Sequence, residues 1–208
     1  MQPNFHVTTS FAFDDTTYSD EDVITDADGP ILKTVNGLTA LQYLREKNIL
    51  ASEESNVKTF VWVVPAILTF PNGLRVVRAF ISKVEGTEYI FATGALQKGV
   101  KIKFSVLDGD KTLQSAAKLV EDLCQLKEND MLAYSCGARA WSLGADHSSE
   151  AKVVHKKAEE FCKTHNIRLN YSTAYAGGEI CPIIDNTGKL VNALHNYTLI
   201  VCTFNKTL

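Results

Sequence analysis

A chain of 208 residues, 45% of them hydrophobic and 22% charged, is long enough to bury a real core and excludes the disordered and fibrous classes. Its formal net charge of -3 provides no surplus of cations to neutralise phosphates, so no nucleic-acid partner is expected. The apolar run of residues 59–70 is too short to span a bilayer and is followed by Arg75 and Arg78. The start Met1-Gln2-Pro3-Asn4 has neither the basic nor the apolar region of a signal peptide, so the expectation is a cytoplasmic protein without membrane insertion.

Alternating Phe5, Val7, Phe11 and Phe13 predict a strand, and the acidic Asp20, Glu21 and Asp22 a loop after it. Residues 22–25 and 31–35 flank Asp26-Ala27-Asp28-Gly29, whose composition predicts a hairpin in which Gly29 takes positive φ. A calcium loop is rejected there, because Pro30, Ile31 and Leu32 follow the glycine where alternating oxygen ligands would be needed. Thr39 is placed to cap a short helix that turns Leu41 and Leu44 to the core. Strand-like runs follow at residues 57–69, 74–84, 88–94 and 100–107, separated by Pro71-Asn72-Gly73, Glu85-Gly86 and Lys98-Gly99. The economical topology is an antiparallel meander, with Pro65 at an edge or break of the first run. Arg78 interrupts the apolar pattern Val76-Val77-Arg78-Ala79-Phe80, pointing either to a partly enclosed space or to a solvated face.

Helical spacing of Leu113, Ala116, Ala117, Val120, Leu123 and Cys124 predicts a helix capped by Asp110 or Thr112 and ending near Leu126. A second helix is predicted from about Ser148 to Thr164, with Ala151, Val154, Ala158, Phe161 and Cys162 on its apolar face. Between them, the apolar run of residues 131–136 reads as a buried strand that ends in Cys136 and Gly137. Arg139 follows in a loop, where its fork of donors suits a carboxylate. The helix, strand, helix, strand order continues into residues 167–175 and then the loop Ala176-Gly177-Gly178-Glu179. There the glycines allow backbone donors close to a ligand and Glu179 suits an amine; the plain alternative is a broken strand with a solvated glutamate. Residues 196–204 form the last strand. Asn186-Thr187-Gly188-Lys189 imitates the tail of a phosphate loop, but Ile183 stands where its first glycine belongs, so nucleotide binding is rejected. Cys124, Cys136, Cys162, Cys181 and Cys202 are odd in number and lack paired spacing, as reduced thiols do, and Cys162 and His165 have no second pair to complete a zinc site. No cofactor or metal is expected.

Tyr134-Ser135-Cys136-x-x-Arg139 with Leu143-Gly144, then Gly178-Glu179-Ile180-x-Pro182, then His195-Asn196-Tyr197-Thr198 together resemble a FIST domain, in its carboxyl-terminal half. The resemblance covers about residues 23–204. It implies an intracellular sensory domain that binds a small ligand such as an amino acid and works in signal transduction beside an output signalling domain or protein. It also implies that residues 1–22, a strand and loop, are the tail of an amino-terminal FIST half that this chain lacks, and that residues 23–208 are the FIST C-like domain. Cys181 departs from the family, whose members commonly have glycine there, and its thiol is expected to line the site.

The fold class expected from these elements is α+β (mixed α/β), a largely antiparallel sheet with two main helices packed on it. The favoured function is a non-enzymatic sensor. In it Arg139 with Arg78 holds a carboxylate, Glu179 holds an amine, Gly177, Gly178 and Asn196 supply hydrogen bonds, and Cys136 lies in the site. The alternatives are a cysteine-dependent hydrolase or transferase using Cys136 with His195 as base, and a protein-interaction module without a ligand.

Overall fold

The computed structural model of the chain describes residues 5–11, 22–50, 65–105, 108–124 and 130–204, the first of these by its backbone alone. The expected start of the first long strand run at residues 57–64, the loop around Asp20 and Glu21, and the end of a helix at Leu126 lie outside the described residues. The elements in chain order are β1 (Phe5–Phe11), β2 (Asp22–Asp28), β3 (Ile31–Val35), β4 (Leu38–Thr39), α1 (Ala40–Glu46), β5 (Ala66–Thr69), β6 (Arg75–Arg78), β7 (Phe80–Lys83), β8 (Ile90–Ala92) and β9 (Lys101–Phe104). They continue with α2 (Gly109–Cys124), β10 (Asp130–Cys136), α3 (Gly137–Ser142), α4 (Ser149–His165), β11 (Asn170–Ala176), β12 (Glu179–Ile184), β13 (Leu190–His195) and β14 (Thr198–Phe204). The class is α+β, mostly antiparallel, as expected.

The chain divides into two compact units, one of residues 1–12, 108–182 and 197–208, the other of residues 13–107 and 183–196. The first is built on a four-stranded sheet in the order β1-β14-β10-β11, in which only β10 and β11 run parallel. That pair needs a crossover, and α4 supplies it. On α2, Ala116, Leu119, Val120, Leu123 and Cys124 form the buried stripe, and Val154 and Ala158 of α4 join it with Met131, Ala133, Leu199 and Val201 of the sheet. Asp108, rather than Asp110 or Thr112, caps α2, its Oδ1 accepting from the N–H groups of Asp110 and Lys111.

The second unit is built on an eight-stranded sheet in the order β6-β5-β9-β2-β3-β8-β7, with β4 on β3, and also holds β13. Local hairpins predicted from turn residues are present: β5 pairs with β6, β7 with β8, and β2 with β3 across Gly29 at φ 53°. The meander is not. The run of residues 74–84 breaks at Ala79 into β6 and β7, which lie at opposite ends of the strand order, and the β2-β3 hairpin separates β9 from β8. Turn chemistry fixes which neighbours fold back on each other but says nothing about which hairpin pairs with which. Thr39 caps α1 as expected, in a reciprocal box with Gln42. Leu41, Tyr43 and Leu44 enter a core with Phe80 and Phe104, whose rings lie 5.7 Å apart. Among the described residues no helix is long and apolar enough to cross a membrane.

Candidate functional site

Alternation along β10 sends Met131 and Ala133 to the helix-backed core and Ser135 toward α4, while Tyr134 and Cys136 face the other side of the sheet. Because β10 and β11 are parallel and in register, Cys136 lies opposite Ala176, and the chain leaving each strand emerges at the same sheet end. The start of α3, which leaves the thiol-bearing strand directly at Gly137, and the double-glycine turn therefore lie side by side, and a Cβ added at Gly137 would stand 3.5 Å from the Ala176 carbonyl oxygen. Gly178 sits at φ 138°, which only glycine adopts readily, whereas Gly177 has ordinary φ and open space beside it, so the backbone demands just one of the two glycines.

The bend delivers Glu179 into the four-stranded unit, where it is 4% exposed. Thr198 Oγ1 donates to its Oε2 at 2.5 Å, while Oε1 is sealed from water and meets no hydrogen-bond donor. Burial pushes this carboxyl up to about 7, against the opposing pull of Thr198, the Cys136 thiol, the Arg139 charge and the Gly178 N–H. Cys136 is itself buried. Desolvation and then the Glu179 charge push its thiol up, so it stays protonated rather than becoming a thiolate.

Arg139 is not on a loop but in α3, and it is fully buried. The fork expected to receive a ligand carboxylate holds Glu150 of α4 instead: Nε donates to Oε1 at 2.8 Å and Nη2 donates to the same oxygen at 2.5 Å. Nη2 also donates to the Thr112 carbonyl and to Ser115 Oγ, Nη1 donates to the Tyr197 carbonyl at 3.5 Å, and Ser135 Oγ donates to Glu150 Oε2. This network occupies the guanidinium with internal acceptors and leaves Arg139 with a structural task. Sequence reasoning passed over Glu150. The signal was present, since Glu150, Val154 and Ala158 recur every fourth residue and place a carboxylate on the buried stripe of α4.

Glu179 forms part of the wall of a cleft of about 370 Å³, together with Tyr134, Ala176, Gly178, Ile180, Pro182, Ile200 and Cys202. The walls are mainly apolar, and among the described residues no cationic side chain lines them. Ile180 is 72% exposed and Tyr134 42%. Cys181 is fully buried, its thiol pushed up to about 11 by desolvation, and it is not a lining residue. A second hollow of about 540 Å³ in the same unit is lined by Gly137, Ala140, Trp141, Gly144, His147 and Tyr175.

Arg78 and Asn196 belong to the eight-stranded unit. Arg78 is 7% exposed and donates from Nη1 to the carbonyls of Leu194 at 2.5 Å and Val77 at 3.2 Å, while its Nε has no acceptor. Its side chain lies over Gly94, where an added Cβ would stand 2.7 Å from Nε. Asn196 Oδ1 accepts from the Ala79 N–H and from Thr93 Oγ1, and the Asn196 N–H donates to the Val77 carbonyl. These bonds tie the end of β13 to β6. His195 is fully buried beside Arg78, and desolvation followed by the Arg78 charge holds its imidazole down at about 4.

A family model described as FIST C domain matches residues 40–182 of the chain. No curated protein and no solved structure matches it.

Proposed function

The chain belongs to the FIST C domain family, a family of sensory domains, and on that premise we propose that it is a sensor that takes a small amine-bearing ligand in the cleft beside Glu179. The observation that carries this reading is a nearly buried carboxylate with one oxygen lacking any donor, in the wall of a mainly apolar cleft. A buried acceptor left unpaired costs about 1–3 kcal/mol, which a ligand's donor recovers. Such a site falls within the common size range of small-molecule pockets, apolar with few polar groups.

Amino acids, the ligand class the family resemblance implied, are the first to screen, and occupancy would be passed to an output domain or protein. Binding fits the geometry better than catalysis, because the Cys136 thiol is buried and raised, the reverse of an activated nucleophile. The test is a thermal-shift screen of amino acids and simple amines against the protein and its Glu179→Gln variant. A ligand that raises the melting temperature of the parent should lose at least tenfold in affinity with the variant, and an unchanged affinity would refute the role of Glu179.

A further inference from the structure

The charge inventory of the four-stranded unit narrows the ligand. We infer that the cleft beside Glu179 selects an apolar amine that lacks a carboxylate, rather than a zwitterionic amino acid. The inference rests on the reading of this cleft as the ligand site.

Three observations carry it. A zwitterion needs a cation for its carboxylate, and the buried arginine of this unit is already committed to Glu150, the Thr112 and Tyr197 carbonyls and Ser115. Among the described residues no Lys, Arg or His side chain lines the cleft, so a ligand carboxylate would enter beside Glu179 with no opposite charge from them to meet it. Among the described residues of the wall the polar possibilities are the Tyr134 hydroxyl, the Gly178 backbone, the Cys202 thiol and Glu179, of which only the last is ionic. Donors are therefore welcome in this cleft and anions are repelled.

The remaining walls describe the rest of the molecule. Ile180, Ile200, Pro182 and Ala176 offer apolar surface, and Ile180 and Tyr134 are exposed enough that a branched alkyl or single-ring body would remove apolar area from water on binding. Glu179 Oε1 is sealed from solvent, so a ligand's ammonium reaches it when the side chain turns toward the opening. That turn breaks no hydrogen bond to Oε1; what it puts at stake is the Thr198 bond to Oε2 and the pull of the Cys136 thiol and the Gly178 N–H on the carboxyl.

Matched pairs test it by calorimetry: 2-phenylethylamine against L-phenylalanine and 3-methylbutylamine against L-leucine, with 2-phenylethanol as the neutral control. The amines should bind at least tenfold tighter than the matching amino acids and the alcohol. Glu179→Gln should remove at least tenfold of the amine affinity, and Ile180→Ala, an exposed position that does not threaten folding, should weaken it several-fold. Amide chemical shifts should move at Ile180 and Ile200. Amino acids binding as well as the amines, with shifts at the same residues, would overturn the inference and leave the ligand site standing. The alcohol binding as well as the amine would overturn it by making the carboxylate idle. Binding of none of these compounds, or shifts confined to the Trp141 hollow, would overturn both the inference and the site.

Discussion

Each unit of the molecule buries one arginine, and the two are treated in opposite ways. Arg139 is sealed among acceptors that include a full carboxylate, whereas Arg78 has two backbone carbonyls, an Nε without an acceptor and a glycine packed against it. The unit that neutralises its arginine also keeps a second carboxylate, Glu179, without a full set of donors, and there the orphaned group belongs to a cleft wall. A buried charge whose bonds are complete is architecture; one that lines an opening with a bond to spare is where a ligand or a proton acts.

Breaking the complete network should have the largest effect. Arg139→Ala leaves Glu150 buried without its cation, and removal of one partner of such a pair costs about 3–5 kcal/mol. The urea midpoint should fall accordingly. The double variant Arg139→Met with Glu150→Leu should recover most of the loss, since it removes the desolvated charges together. A loss below about 1 kcal/mol in the single variant would mean that the pair does not hold α3 to α4.

Proton linkage gives the next contrast, with opposite signs in the two units. Glu179 is raised from 4.5 to about 7, so between those values the native state keeps a proton that the unfolded chain releases. Stability from this group is complete below about 4.5 and declines as the pH rises through 7, by on the order of 3 kcal/mol. His195 is lowered from 6.5 to about 4, so its contribution is complete above 6.5 and is lost as the pH falls toward 4. Glu179→Gln should therefore be more stable than the parent at pH 8 and similar to it near pH 4.5, while keeping the acid-side decline that His195 causes. Parallel pH profiles of urea midpoints for the two proteins would exclude the burial assigned to Glu179.

Much of this was legible in the chain. The apolar run ending in Cys136 and Gly137, the double glycine before Glu179 and the order of helices and strands between them follow from local period and turn residues, whereas the parallel pairing of β10 with β11 does not. What resisted reading was pairing over distance. Arg139 carries the residue type of a carboxylate holder, and the carboxylate it holds is its own chain's, eleven residues on and in another helix. The strand order of the eight-stranded unit resisted for the same reason, because hairpins state their own register and not their neighbours. Glu150 is hard to read because a helix stripe is recognised by its apolar members, and a carboxylate among Val154 and Ala158 does not announce itself as buried.

The smallest effects should come from Arg78, and they test whether its glycine is a seat or a coincidence. Arg78→Met keeps the stem but strips donors from the Leu194 and Val77 carbonyls, at about 1–2 kcal/mol. Gly94→Ala has no positive φ to lose, so whatever it costs comes from the Cβ placed 2.7 Å from Nε; overpacking of this kind costs about 1–3 kcal/mol. If the seat is real, the two changes share one interaction. Methionine has no anchor on Leu194 and can swing away from the new methyl, so the double variant should lose less than the two singles combined, by at least about 0.5 kcal/mol. Strict additivity in urea midpoints would show that Gly94 is small for some reason other than the arginine above it, and that Arg78 has room Arg139 lacks.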